Sequence, residues 1–154
     1  MIQSNAYAFS HFCLATLPAS NNLAGKIPQE IGHLTSLDFV SLKHNSLTGT
    51  IPPYLKQLSD LDYLDLKNNL FTGTIPSFMS ELTRLEVLGL SQNQLTGRVP
   101  SSLGTLNLLT LAIDENILTG DLSPVASMTR LQYLYAANNR FKGRLDGGLL
   151  ANLT

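Results

Sequence analysis

One spacing constrains this chain more than any other property. Asparagine recurs at Asn21, Asn45, Asn69, Asn93, Asn116 and Asn139, at intervals of 24, 24, 24, 23 and 23 residues. Other positions keep the same register. Two residues after each asparagine comes Leu23, Leu47, Phe71, Leu95, Leu118 or Phe141, and four residues after it always a glycine. Six residues after it comes Ile27, Ile51, Ile75, Val99, Leu122 or Leu145, and the first four are followed by proline. From the second unit on, apolar residues also precede the asparagine by eight, five and three positions, as in Leu61, Leu64 and Leu66. Repetition at such a period predicts identical coils that bury their apolar positions against one another.

Each column has a physical reason. The apolar pair five and three residues before the asparagine alternates with polar residues, which predicts a short strand with one buried face. So short a strand must pair in parallel with its equivalent in the next coil, and the rest of the unit supplies the crossover. The asparagine turns the chain away from the strand, and its amide pairs backbone groups of adjacent turns that would otherwise be buried unsatisfied. Glycine suits a sharp bend or a close approach, and proline an extended segment on the far side. Five or six coils about 4.8 Å apart make a stack on the order of 25 Å.

Composition excludes several alternatives. Hydrophobic residues make up 44% of the 154, enough for a continuous core. A net charge of -1 offers no basic face for nucleic acid. No apolar run approaches the roughly 18 residues of a membrane span. Cys13 is alone, so neither an intrachain disulfide nor a cysteine metal site is expected. The patch Phe12-Cys13-Leu14-Ala15 lacks a basic leader and is interrupted by Ser10 and His11, so it reads as a degraded first repeat rather than a secretory signal.

The unit Leu-x-x-Leu-x-Leu-x-x-Asn-x-Leu-x-Gly-x-Ile-Pro-x-x-Leu-x-x-Leu, clearest in LDYLDLKNNLFTGTIPSFMSEL from Leu61 to Leu82, resembles the plant-specific class of leucine-rich repeats. That resemblance implies an α/β solenoid. Its right-handed coil has a concave parallel β-sheet, short flank strands from the Thr-Gly-x-Ile-Pro segment, and 3-10, helical or irregular convex segments. It also implies a non-catalytic recognition module without cofactor or metal. Such a module resembles the ectodomain of a plant receptor-like kinase or receptor-like protein on the extracellular face of the membrane. Its partner would be a protein or peptide ligand, or a co-receptor. The chain divides into a degenerate or truncated segment at 1–20 and an array at 21–154, with five good coils and a partial first one. Upstream of Asn21 the register slips, since Leu14 and Leu17 sit eight and five residues before Asn22. Units five and six replace Ile-Pro with Leu122-Ser123 and Leu145-Asp146. Without cysteine caps, and stopping mid-coil, the sequence is expected to be a fragment of a longer receptor. The alternatives are a secreted inhibitor of a cell-wall hydrolase, against which the missing caps argue, and an intracellular scaffold.

In this class function lies on the concave face, at positions six, four, two and one before each asparagine. The candidate partner-binding residues are Phe39, Ser41, Lys43, Tyr63, Asp65, Lys67, Tyr133 and Tyr135. Exposed aromatics flanked by charge suit protein recognition, although outward aromatics on a strand also pack on one another across strands. Lys43 and Lys67 suit a solvated face more than a ligand site, and Arg130, Arg140, Lys142 and Arg144 a wet edge. Thr48, Thr72, Thr96 and Thr119 form a column before the glycines. A regular threonine row can bind ice, but the flanking positions vary, and each hydroxyl is expected to bond the local backbone. Catalysis finds no foothold: His11, His33 and His44 occupy unrelated positions without metal-ligand spacing, and Asp114 and Glu115 point different ways. Asn152-Leu153-Thr154 completes a glycosylation sequon, whereas the ladder asparagines do not.

Overall fold

The computed structural model describes residues 23–143. The segment at 1–20, Asn21, Cys13, His11, Arg144 and the Asn152 sequon lie outside them. Five three-residue strands, Phe39–Ser41, Tyr63–Asp65, Val87–Gly89, Thr110–Ala112 and Tyr133–Tyr135, form one parallel sheet in chain order. They pair without slip, so that Phe39, Tyr63, Val87, Thr110 and Tyr133 make one row across the sheet. Ser41, Asp65, Gly89, Ala112 and Tyr135 make another. Between these rows Val40, Leu64, Leu88 and Leu111 point inward and are completely buried, as alternation on a strand requires.

The other apolar columns close the core from the remaining sides. Leu61, Leu85 and Leu108 enter it just before the strands, Leu66, Leu90 and Ile113 just after them, and Phe71, Leu95 and Leu118 beyond the asparagines. The convex side is a row of 3-10 turns, Gln29–His33, Pro53–Gln57, Ser77–Glu81 and Ser101–Thr105, followed by a short α-helix, Ser123–Ala126. Each 3-10 turn starts after the proline of Ile-Pro or Val-Pro, which sits extended at φ -67 to -83°. A fixed φ and a missing N–H suit a helix start. Ile31, Leu55, Met79, Leu103 and Val125 project from these turns into the core.

The flank differs from what the family resemblance implies. Its strands, Ala24–Gly25, Ser46–Thr50, Leu70–Thr72, Thr96–Arg98, Ile117–Gly120 and Arg140–Phe141, begin earlier and stop before the Ile-Pro pair or its equivalent. The isoleucine is needed in the core and the proline lacks the donor a ladder requires. The flank also divides into two three-stranded sheets, linked by a single bridge between Thr74 and Thr96.

A second difference concerns the turn after each concave strand. The left-handed residue is not the asparagine but the one before it: His44, Asn68, Gln92, Glu115 and Asn138 all have φ between 54 and 58°. The asparagine instead fills the bend with its side chain. Asn69 Oδ1 accepts from the N–H of Leu47 in the preceding coil at 3.0 Å. Its Nδ2 donates to the carbonyls of Leu42 and Leu66 at 2.9 and 3.1 Å. Asn93 and Asn116 repeat the arrangement, accepting from Phe71 and Leu95 at 3.0 and 2.9 Å. Asn45 and Asn139 accept from Leu23 and Leu118. Every side chain in this ladder ties two coils together.

The first interval of 23 residues, from Asn93 to Asn116, has a local cause. Leu34, Leu58 and Leu82 close their 3-10 turns at ψ 57 to 68°, and a further turn follows in which Leu61 N–H bonds Leu58 O at 3.1 Å. Leu106 is extended at ψ 149° and omits that turn, so the next strand begins one residue sooner.

Candidate binding face

The concave sheet gathers the eight candidate residues into two groups. Phe39 and Tyr63 are neighbours across the first two strands, with rings stacked 4.2 Å apart and 8° from parallel. Both are half-buried, so much of their area is spent on each other. Asp65 lies beside them and is 7% exposed. It accepts from Tyr63 Oη at 3.2 Å and from the Lys67 backbone N–H at 3.1 Å. Lys43 Nζ lies 3.7 Å from Oδ2, the oxygen that accepts from Tyr63. The Tyr63 phenol is held above its ordinary value of 10.0, first by burial and then by the charge and hydrogen bond of Asp65. Ser41, at 8% exposure, is covered like Asp65. Both occupy the outward row of the sheet, yet at these exposures offer a partner little area.

Tyr133 and Tyr135 form the second group, with two strands between it and the first, and are 50% and 53% exposed. Between the groups the central row narrows to Gly89 and Ala112, leaving a low floor with Asp65 at one side and Tyr135 at the other. A Cβ on Gly89 would lie 2.7 Å from Asp65 Oδ1. Sequence reasoning missed this floor. The signal was present as two small residues in a column that otherwise carries Ser41, Asp65 and Tyr135. Ser91 and Asp114 sit below the floor, with the Ser91 hydroxyl donating to the Asp114 carboxylate. Glu115 accepts from Gln92 Nε2 at 3.2 Å.

Just before the strands runs a charged rim. Arg84 pairs with Asp62 at 3.1 Å and Asp60 at 3.4 Å, and Arg130 reaches Glu86 at 3.6 Å across the intervening coil. They border an open cleft of about 310 Å³ that Thr83 and Asn107 also line. All these groups are substantially exposed, so each pair contributes little stability. Arg130 thus belongs to the rim, whereas Arg140 lies in a flank strand.

The threonine hydroxyls are committed to backbone, but not locally. Thr72, Thr96 and Thr119 donate to Gly49, Gly73 and Gly97 of the preceding coil at 3.3, 3.1 and 3.2 Å. His44 Nδ1 lies 2.9 Å from Asn68 Nδ2 in the next coil, and His33 sits on the convex side. Among the described residues no three His, Cys, Asp or Glu side chains converge as a metal site would require, and no helix is long and apolar enough to cross a membrane.

Comparison with known proteins places this geometry. A family model described as leucine rich repeat matches residues 37–95. The leucine-rich repeat ectodomain of the receptor kinase SOBIR1 from Arabidopsis thaliana is 31% identical, with a TM-score of 0.72, over 81% of this chain and 70% of that one. The TDR receptor is 34% identical with a TM-score of 0.84, over 88% of this chain and 24% of that one. The Arabidopsis receptor kinase HAESA, in complex with the peptide hormone IDA and the co-receptor SERK1, is 35% identical with a TM-score of 0.82. There the match covers 87% of this chain and 23% of the other. The chain therefore spans about a quarter of the length of the latter two receptors. No curated protein matches the sequence significantly.

Proposed function

The chain belongs to the plant-type leucine-rich repeat family, and we propose that its concave sheet is a non-catalytic recognition surface for a protein or peptide ligand, within the extracellular part of a cell-surface receptor. The observation that carries this reading is the pair Tyr133 and Tyr135, exposed side by side on the sheet. Two half-exposed rings on neighbouring outward positions are costly to leave wet, and aromatics of this kind dominate binding energy where they become buried. The complex of HAESA with a peptide hormone and a co-receptor supports the class of partner. The two groups divide the work. Phe39 and Tyr63, already stacked and pinned by Asp65, offer a rigid edge that loses little entropy on binding, with Lys43 and Lys67 beside it. Tyr133 and Tyr135 supply new buried area.

The test is affinity for peptides selected from a random display library against the whole chain. Tyr133→Ala and Tyr63→Ala should fold as the parent does and weaken binding by about tenfold or more, the size of a hot-spot residue. Selected peptides that bind both variants as tightly as the parent would rule out the concave face.

A further inference from the structure

The concave face is electrically polarised along the stack. From Phe39 to Asn45 and Tyr63 to Asn69 its first two strands and their turns present Lys43, Lys67 and His44, and the one carboxylate in these two stretches, Asp65, is paired with Lys43 at 3.7 Å. From Val87 to Asn93, Thr110 to Asn116 and Tyr133 to Asn139 the strands and their turns carry Asp114 and Glu115 and no lysine, arginine or histidine. Neither carboxylate forms an ion pair with a described residue. The polar contacts they do make are with neutral groups, the Ser91 hydroxyl and the Gln92 amide.

Above Asp114 lies the floor of Gly89 and Ala112, and the ring beside it is that of Tyr135, whose Cα partner on the next strand is Ala112. The register neighbour of Tyr135 is thus only a methyl, and the ring is 53% exposed. A planar cation laid on this floor would have Tyr135 on the adjoining strand and Asp114 two residues beyond Ala112 along the chain. Guanidinium fits both, because it stacks on rings and bonds carboxylates in a fork, whereas ammonium is a point charge held more strongly by water.

We propose that the floor over Gly89 and Ala112 is a subsite for an arginine side chain of the ligand, held by Tyr135 and Asp114. The inference rests on the concave-face reading and adds direction to it. A peptide with arginine over Ala112 places acidic residues over Lys67 only when it runs one way along the stack, and the reversed peptide sets like charges together.

The test uses a probe that needs no selected peptide. N-acetyl-arginine amide is titrated into the isotope-labelled full chain and followed by amide chemical shifts, with N-acetyl-citrulline amide as the neutral isostere. The arginine probe should move Gly89, Ala112, Asp114 and Tyr135 saturably, with a dissociation constant of roughly millimolar size, and bind about fivefold tighter than citrulline. Tyr135→Ala and Asp114→Asn should each weaken it about threefold or more, and Lys56→Ala on the convex side should not change it. No saturable shift, equal binding of the two probes, or indifference to both concave substitutions overturns the subsite. If selected peptides still depend on Tyr133 and Tyr63, only the arginine assignment has failed; if they do not, the concave-face reading has failed with it.

Discussion

The carboxylate of Asp65 fills the space that a side chain at position 89 would need, since a Cβ there would lie 2.7 Å from Asp65 Oδ1. Gly89→Ala must therefore push Asp65 off the Lys67 amide and the Tyr63 hydroxyl. Unfolding by urea should show a loss of about 1–2 kcal/mol, the net worth of the bonds released. In an Asp65→Ala background the same change should be neutral or stabilising, because alanine suits a strand better than glycine. A coupling of about 1 kcal/mol between the two sites is expected, and additive effects would contradict the contact.

Tyr63 makes the same patch sensitive to alkali. Its folded pKa lies above that of the unfolded chain. The stability tied to the neutral phenol is therefore complete below the ordinary value of 10.0 and is lost as pH rises through the folded value. Tyr54, raised by burial and then by Glu30, acts in the same window. Asp65→Asn should lower the Tyr63 midpoint but leave it above 10.0, because burial is the larger cause and remains. Carbon-labelled tyrosine NMR resolves this midpoint from those of the other rings, and one unchanged by the substitution refutes the link to Asp65.

The ladder predicts a gradient of cost. Asn69→Ala leaves the Leu47 N–H without its acceptor and the Leu42 carbonyl without a donor that crossed between coils, all in a site where the asparagine is 5% exposed. The expected loss is about 2–3 kcal/mol. Asn45→Ala, at a half-buried site, should cost less. Equal midpoints for both variants and the parent in urea would remove the ladder's structural role.

The glycine column separates two effects. Gly73 has φ +79° and a Cβ there would lie 2.9 Å from the Thr50 methyl. Gly25 has φ +92° with no described residue within 4 Å. Replacement by alanine at Gly25 should cost only the backbone penalty of about 1 kcal/mol. Gly73→Ala should exceed it by the cost of displacing Thr50, about 1 kcal/mol more. Equal losses would mean the close approach is unimportant.

How much of this was legible follows from where each constraint acts. Columns such as Leu61, Leu64 and Leu66 were readable because every coil buries the same positions against its neighbours, which forces the same residue type at each period. The left-handed turn was not readable at its true position. It is a demand on the backbone that His44, Gln92 and Glu115 all meet, with no shared side-chain chemistry to mark it. The shielding of Asp65 was hidden for another reason: it comes from Tyr63 and Lys67 of its own coil together with Lys43 of the coil before, not from alternation within the strand. The rim pairs likewise join residues 22 to 44 positions apart, as in Arg84 with Asp62 and Arg130 with Glu86, so they emerge only when coils are laid side by side.

The central claim is that the concave sheet, and no other surface of the stack, receives the partner. Hydrogen exchange with and without a display-selected peptide tests it directly, by reading which backbone amides gain protection. Protection should be confined to the concave strands and their turns, strongest at Tyr63–Asp65 and Tyr133–Tyr135. Protection centred on the convex turns, such as Pro53–Gln57 or Ser77–Glu81, with the concave strands unchanged, would contradict it.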